Sequence, residues 1–147
     1  MVKSIFLTPL ILILISPGLF SQNNSEQKNQ DRKWTIDNCV NKFNWEDTVQ
    51  TKVGYQYWFF DKDFLDGKTI KMSVVAPHSA THAPHKHNED EFFFVLEGEA
   101  EFYLDGKTTE AKKYSAFYCP SNIEHGIRNI GDTELKYLVI KKYDKTN

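Results

Sequence analysis

A chain of 147 residues is long enough for one domain with a sizeable core and short for two domains of usual size. Its 18 basic and 20 acidic residues give a formal net charge of -2 and are mixed along the sequence. No basic stripe is available to track a phosphate backbone, so nucleic acid is not an expected partner.

The chain opens with Met1, Val2 and Lys3, then a strongly apolar run from Ile5 to Phe20 broken by Pro9 and Pro17, then Ser21 and Gln22. A charged start, a short apolar stretch and small residues at its end read as a secretory signal peptide over 1–21, which predicts export to the periplasm or the medium. The competing reading, a membrane anchor, needs a longer uninterrupted run than this one. No cysteine stands at the cleavage point to carry a lipid, so a product without a stable membrane anchor is expected. Residues 22–33, QNNSEQKNQDRK, contain no apolar side chain, which predicts a disordered linker.

Ordered sequence is expected from Trp34, giving a domain over 34–147 with a core barrel over 69–143. The domain opens with an aromatic-rich N-terminal arm that includes Phe43, Trp45, Tyr55, Tyr57, Trp58, Phe59, Phe60 and Phe64. An arm with that much apolar surface either pairs two chains or folds back on its own barrel as an extra strand. Two Asp-Gly pairs follow, Asp66-Gly67 and Asp105-Gly106, each between runs that alternate or are aromatic, which is a strong hairpin signal. Strands are expected at about 69–76, 91–96, 100–104, 107–111, 116–119, 125–129 and 135–142. Ile70, Met72 and Val74 share one face, as do Ala100, Phe102 and Leu104. No long helical pattern and no internal repeat competes. The fold class is therefore all-β: a single antiparallel β-barrel or jelly roll.

The two cysteines, Cys39 and Cys119, both lie in the mature part. An oxidising compartment would permit a bridge between them; the other reading makes Cys119 a small buried hydrophobe and Cys39 separate.

All five histidines fall between His78 and His125. In PHKHNEDEFFFVLEG, His85 and His87 stand two apart and Glu91 follows four later. Residues two apart on a strand share a face with Cα atoms roughly 6.6 Å apart, so both imidazoles can reach one ion. Glu91 keeps the same parity and adds a hard oxygen, a mixed set that suits a divalent manganese, iron, nickel, cobalt or zinc ion. The one downstream histidine, His125 in PSNIEHGIRN, is the candidate fourth ligand from a separate strand.

These residues carry a family resemblance. His85, His87, Glu91 and Gly98 resemble the first cupin motif in their spacing, and Pro120, His125 and Asn129 resemble the second. Ser79, Tyr114 and Asn122 stand where the motifs have glycine, at turn positions, and asparagine tolerates the left-handed conformation a glycine would supply. The resemblance implies a small cupin barrel with one divalent metal on His85, His87, Glu91 and His125, and a homodimer paired through the aromatic arm.

Around that centre, His82, Phe93, Val95, Tyr103 and Arg128 are candidate substrate-pocket residues. Phe93 and Val95 share Glu91's parity. Arg128 could grip a carboxylate in bidentate fashion, but its parity is opposite to His125 and points to the surface. Phe117 and Tyr118 read as core aromatics, and His78 and His82 either as loop residues or as residues at the barrel mouth. No catalytic general base is evident: the last strand, LKYLVIKKY, has no acidic residue before Asp144. Three functions stay open. One is an exported metal-dependent isomerase or lyase acting on a small sugar acid or sugar derivative from polysaccharide breakdown. The others are a non-catalytic module that holds a carbohydrate or carboxylate through its metal, and a metal-dependent dioxygenase.

Overall fold

The computed structural model describes residues 34–143, so the expected signal segment, the linker and Asp144–Asn147 lie outside the described residues. The compact unit that carries the site begins at Ile36. A one-turn helix α1 (Ile36–Cys39) precedes nine strands: β1 (Val49–Thr51), β2 (Gly54–Leu65), β3 (Lys68–Val75), β4 (Glu91–Glu97), β5 (Glu99–Leu104), β6 (Lys107–Lys112), β7 (Ala116–Cys119), β8 (His125–Asn129) and β9 (Leu135–Lys142). They form a six-stranded sheet in the order β1-β2-β3-β9-β4-β7 and a three-stranded sheet in the order β6-β5-β8, antiparallel throughout. Among the described residues no helix is long and apolar enough to cross a membrane.

Both Asp-Gly pairs are the tips of two-residue hairpins, with positive φ at Asp66 (56°), Gly67 (89°), Asp105 (46°) and Gly106 (81°). Positive φ at both central residues is the turn that matches the right-handed twist of the flanking strands. Gly98, which closes the first motif, has φ 89°; a Cβ there would sit 2.6 Å from the Glu134 carbonyl and 2.9 Å from Leu135 Cα. Any side chain at 98 would push β4 away from the start of β9.

The aromatic stretch expected to stand as an arm is mostly sheet. β2 runs twelve residues and pairs with β3 from Gly54↔Val75 to Leu65↔Lys68, with register shifts on either side of Phe60. Residues 41–43 lie over its outer face: the Tyr57 hydroxyl donates to the Asn41 side chain (2.7 Å) and the Lys42 carbonyl (2.9 Å), and its ring meets Phe43 at 4.9 Å. Cys39 is exposed, Cys119 is buried, and both are free thiols.

The inward face of the large sheet reads in rows across the strands. Val75 pairs with Leu135, Ser73 with Tyr137 with Val95, Lys71 with Val139 with Phe93, and Thr69 with Lys141 with Glu91. The rows pass from wholly apolar to charged, so the interior is closed at one end and chemically equipped at the other. At the closed end Val75, Val95, Ala100, Phe102 and Leu135 are each at most 4 % exposed and share one cluster drawn from both sheets. Phe102 stacks on Phe117 across the interior at 4.6 Å. Asn129 ties this end together. It is buried, its amide donates to the carbonyls of Val75, Ala76 and Thr133, and its oxygen accepts from Gly131 N–H.

Candidate metal centre

At the charged end two short stretches meet. His85 and His125 exchange both backbone hydrogen bonds, His85 N–H to the His125 carbonyl at 3.0 Å and the reverse at 2.9 Å, in a single antiparallel bridge. The loop that carries His85 and His87 is thereby fastened to the start of β8, and Asn122 N–H adds a 2.7 Å bond to the His87 carbonyl. Asn122 makes that approach at φ 61°, the left-handed conformation expected at its position; Tyr114 adopts it too, at φ 70°.

The imidazoles of His85, His87 and His125 converge, with one ligand atom from each lying within 4.8 Å of the others. Two of them are fixed in orientation by a carbonyl two residues upstream. His125 Nδ1 lies 2.7 Å from the Ile123 carbonyl and His85 Nδ1 lies 3.2 Å from the Ala83 carbonyl. A carbonyl only accepts, so each Nδ1 carries the proton and each Nε2 is left with its lone pair. His125 is fully buried and, among the described residues, its Nε2 has no hydrogen-bond partner. A buried polar nitrogen without a partner is costly, and one facing two further imidazoles fits a metal ion. Burial holds the His125 imidazole below the usual histidine range, opposed by its bond to Ile123 and by Glu91. The lone pair is thus kept free near neutral pH.

Glu91 is buried at the first position of β4, and its carboxylate accepts from His87 Nε2 at 2.9 Å. Its row neighbour Lys141 lies 3.8 Å from it and 3.4 Å from Glu89. His87 Nδ1 is 3.4 Å from Glu89 without the alignment of a hydrogen bond. The ligand atoms that converge are therefore those of the three imidazoles; Glu91 stands beside them through its bond to His87.

A cavity of about 190 Å³ adjoins this cluster, and His82, His85, Glu91 and Phe93 line it. Val95 does not; it is packed in the core at zero exposure. Tyr103 and Arg128 lie on the other side of β5 and β8, where they line a second, outer groove of about 410 Å³. There Arg128 pairs with Glu101 at 2.8 Å, and the Tyr103 hydroxyl donates to Glu124. The candidacy of Val95 and Tyr103 for the inner pocket is corrected on these grounds, while Arg128, also a pocket candidate, lies on the outer side that its parity indicated. His82 lines both spaces. His78 is engaged elsewhere, 2.9 Å from Asp132 on the exposed surface.

The rest of the inner wall was not foreseen: Gln56 and Trp58 from β2, Lys71 and Ser73 from β3, and Tyr137 and Lys141 from β9. The apolar set Ile70, Met72 and Val74 on β3 faces away from this cavity, and the polar set faces into it. Lysines at inward parity, Lys71 with Thr69 and Ser73, Lys141 with Tyr137 and Val139, were the available signal. Burial pushes the Lys71 ammonium below its ordinary value, with Glu91 opposing.

Comparison with known proteins agrees with this architecture: the family model described as cupin domain matches residues 71–141. Those residues are a cupin domain. The cupin is 35 % identical over 75 residues to an uncharacterised protein of Methanocaldococcus jannaschii, covering 48 % of this chain and 60 % of that one. It is 35 % identical over 57 residues to the oxalate-binding protein of Thermotoga maritima, covering 38 % of this chain and 47 % of that one. It thus spans about half the length of these curated relatives. Among solved structures it resembles a predicted oxalate decarboxylase from Thermotoga maritima, with TM-score 0.58, 25 % identity, and coverage of 61 % of this chain and 80 % of that one.

Proposed function

We propose that this cupin holds one divalent metal ion on His85, His87, Glu91 and His125 and uses it to bind and transform a small carboxylate or hydroxy-carbonyl compound in the adjoining cavity. The observation that carries the reading is the buried, unpartnered Nε2 of His125, aimed at two further imidazoles and fixed by the Ile123 carbonyl. An ion in such a site polarises a carbonyl and stabilises the anion formed when a neighbouring proton is removed. The chain supplies the rest. Phe93 and Val139 shield one side of the cavity from water, and Lys71 and Lys141 offer positive charge to an anionic group. Burial, together with His85 and Lys71, holds His82 below the usual histidine range, so it can accept a proton at neutral pH.

The reaction class we infer is an isomerase or lyase step on a small sugar acid, carried out after export directed by residues 1–21. Incubating the metal-loaded protein with uronates and related hydroxy acids, followed by NMR, tests it: new product resonances are expected, absent with His87→Ala. Unchanged spectra across the panel would oppose catalysis.

A second reading, a module that binds and does not transform its ligand, is favoured by the likeness to the oxalate-binding protein. Tight ligand binding without product in the same experiment would select it. We also propose a two-fold homodimer. Its candidate face is the outer row Ile140, Phe92 and Tyr118, paired across β9, β4 and β7 and 40 %, 46 % and 47 % exposed.

A further inference from the structure

Lys71 differs from the other lysine of the cavity. Lys141 is neutralised by Glu89 at 3.4 Å and Glu91 at 3.8 Å. Among the described residues Lys71 forms no ion pair; its ammonium sits 5.0 Å over the Trp58 ring, its register partner on β2. A cation partly removed from water and lacking a carboxylate is uncompensated, and a cation–π contact replaces only part of what an anion would supply.

The position of Lys71 gives this charge a use. It stands on β3, two strands from Glu91 on β4 and one row closer to the core, with β9 between them. With strands about 4.8 Å apart and rows about 6.7 Å apart, the two Cα atoms are separated by roughly 12 Å. Both side chains line the same small cavity. Donors surround the interval: the Gln56 amide, the Ser73 and Thr81 hydroxyls and the Tyr137 phenol.

Resting on the metal reading above, we propose that Lys71 is the second point of a two-point clamp selecting a small dianion. One carboxylate of the ligand is held at the histidine cluster and the other by the Lys71 ammonium. With a divalent ion, the lining carries +2 from the ion, +2 from Lys71 and Lys141 and -1 from Glu91; Glu89, beside Lys141, removes one more. The remaining +2 is what a dicarboxylate neutralises and a monocarboxylate does not. The cavity of about 190 Å³ restricts the ligand to a few carbon atoms.

Calorimetric titration of the full chain, equilibrated with manganese, tests this with oxalate, malonate and succinate against acetate and glycolate. At least one dicarboxylate should bind ten-fold or more tighter than either monocarboxylate. Lys71→Met should weaken that dicarboxylate at least ten-fold and leave the monocarboxylates within about two-fold, with Lys71→Arg restoring part of the difference. Equal weakening of both classes, or no change, overturns the clamp. If Lys71→Met does not fold by circular dichroism, Lys71→Gln is read by the same criteria. Metal content is measured on every sample. A chain full of metal whose dicarboxylate affinity ignores Lys71 defeats the clamp alone. A chain that takes up no metal yet loses dicarboxylate affinity in Lys71→Met defeats the metal reading and the two-point form, and leaves Lys71 as a single anion site.

Discussion

His125 Nδ1 donates to the Ile123 carbonyl at 2.7 Å, and that one bond decides what the other nitrogen of the ring can do. With the proton held at Nδ1, the buried Nε2 is an acceptor facing His85 and His87, at ring-centroid distances of 5.2 and 4.8 Å. Protonating it would bury a charge beside two imidazoles, which is why its affinity for a proton is lowered.

A pH dependence follows, with a definite sign. In the unfolded chain His125 takes a proton near pH 6.5, while in the folded chain it resists until a lower pH. Between those values the unfolded state binds more protons, so the stability of the metal-free protein falls as pH drops. His82, whose affinity is lowered by burial, by His85 and by Lys71, adds in the same direction. Melting temperatures in EDTA should decline from about pH 6.5 downward, and the decline should be shallower in His125→Gln. An identical slope in that variant would remove His125 from the explanation.

Tyr114 holds a left-handed backbone at φ 70° with its ring 71 % exposed over Lys113, a contact worth little in water. A left-handed conformation costs a side-chain-bearing residue about 1–2 kcal/mol, part of which glycine gives back as backbone entropy. Tyr114→Gly should therefore stabilise the fold by up to about 1 kcal/mol, raising the melting temperature by a few degrees. A fall would show that the ring contributes more than its exposure suggests.

The proposed dimer is tested by light scattering at micromolar concentration. The full chain should give twice its monomer mass, and Phe92→Lys, in the middle of the exposed row with Ile140 and Tyr118, should give the monomer mass. A dimer that survives Phe92→Lys would place the interface elsewhere, for instance on the exposed Phe43, Trp45 and Val49.

The strands from Lys68 to Lys142 were legible because alternation and the two Asp-Gly turns set their limits to within a residue. The motif spacing picked out the three histidines that converge, although His85 and His87 stand on a loop and not on the strand their spacing suggested; the bridge from His85 to His125 sets that loop beside β8. β2 was not legible. GYQYWFFDKDFL places aromatics on both faces, since Trp58 looks into the cavity while residues 41–43 cover Tyr57 from outside. Lys71 and Lys141 were missed because a polar barrel interior has the same alternation as a solvent-facing one. In β3 it is the Thr69, Lys71, Ser73 side that lines the cavity, and hydrophobic period alone cannot say which side is inside. Tyr103 failed for the converse reason, lying in the right strand at the parity that faces out, whereas the outward parity of Arg128 was legible from its offset to His125.

The central claim is a metal ion on His85, His87, Glu91 and His125, and metal content per chain tests it most directly. Elemental analysis after equilibration with manganese, iron, nickel, cobalt or zinc and removal of the excess should find about one ion per chain for at least one of them. His87→Ala and His125→Ala should each lose most of it, along with the rise in melting temperature that the bound ion gives the parent chain. No retained ion with any of the five metals, or full occupancy in His87→Ala, would contradict the account.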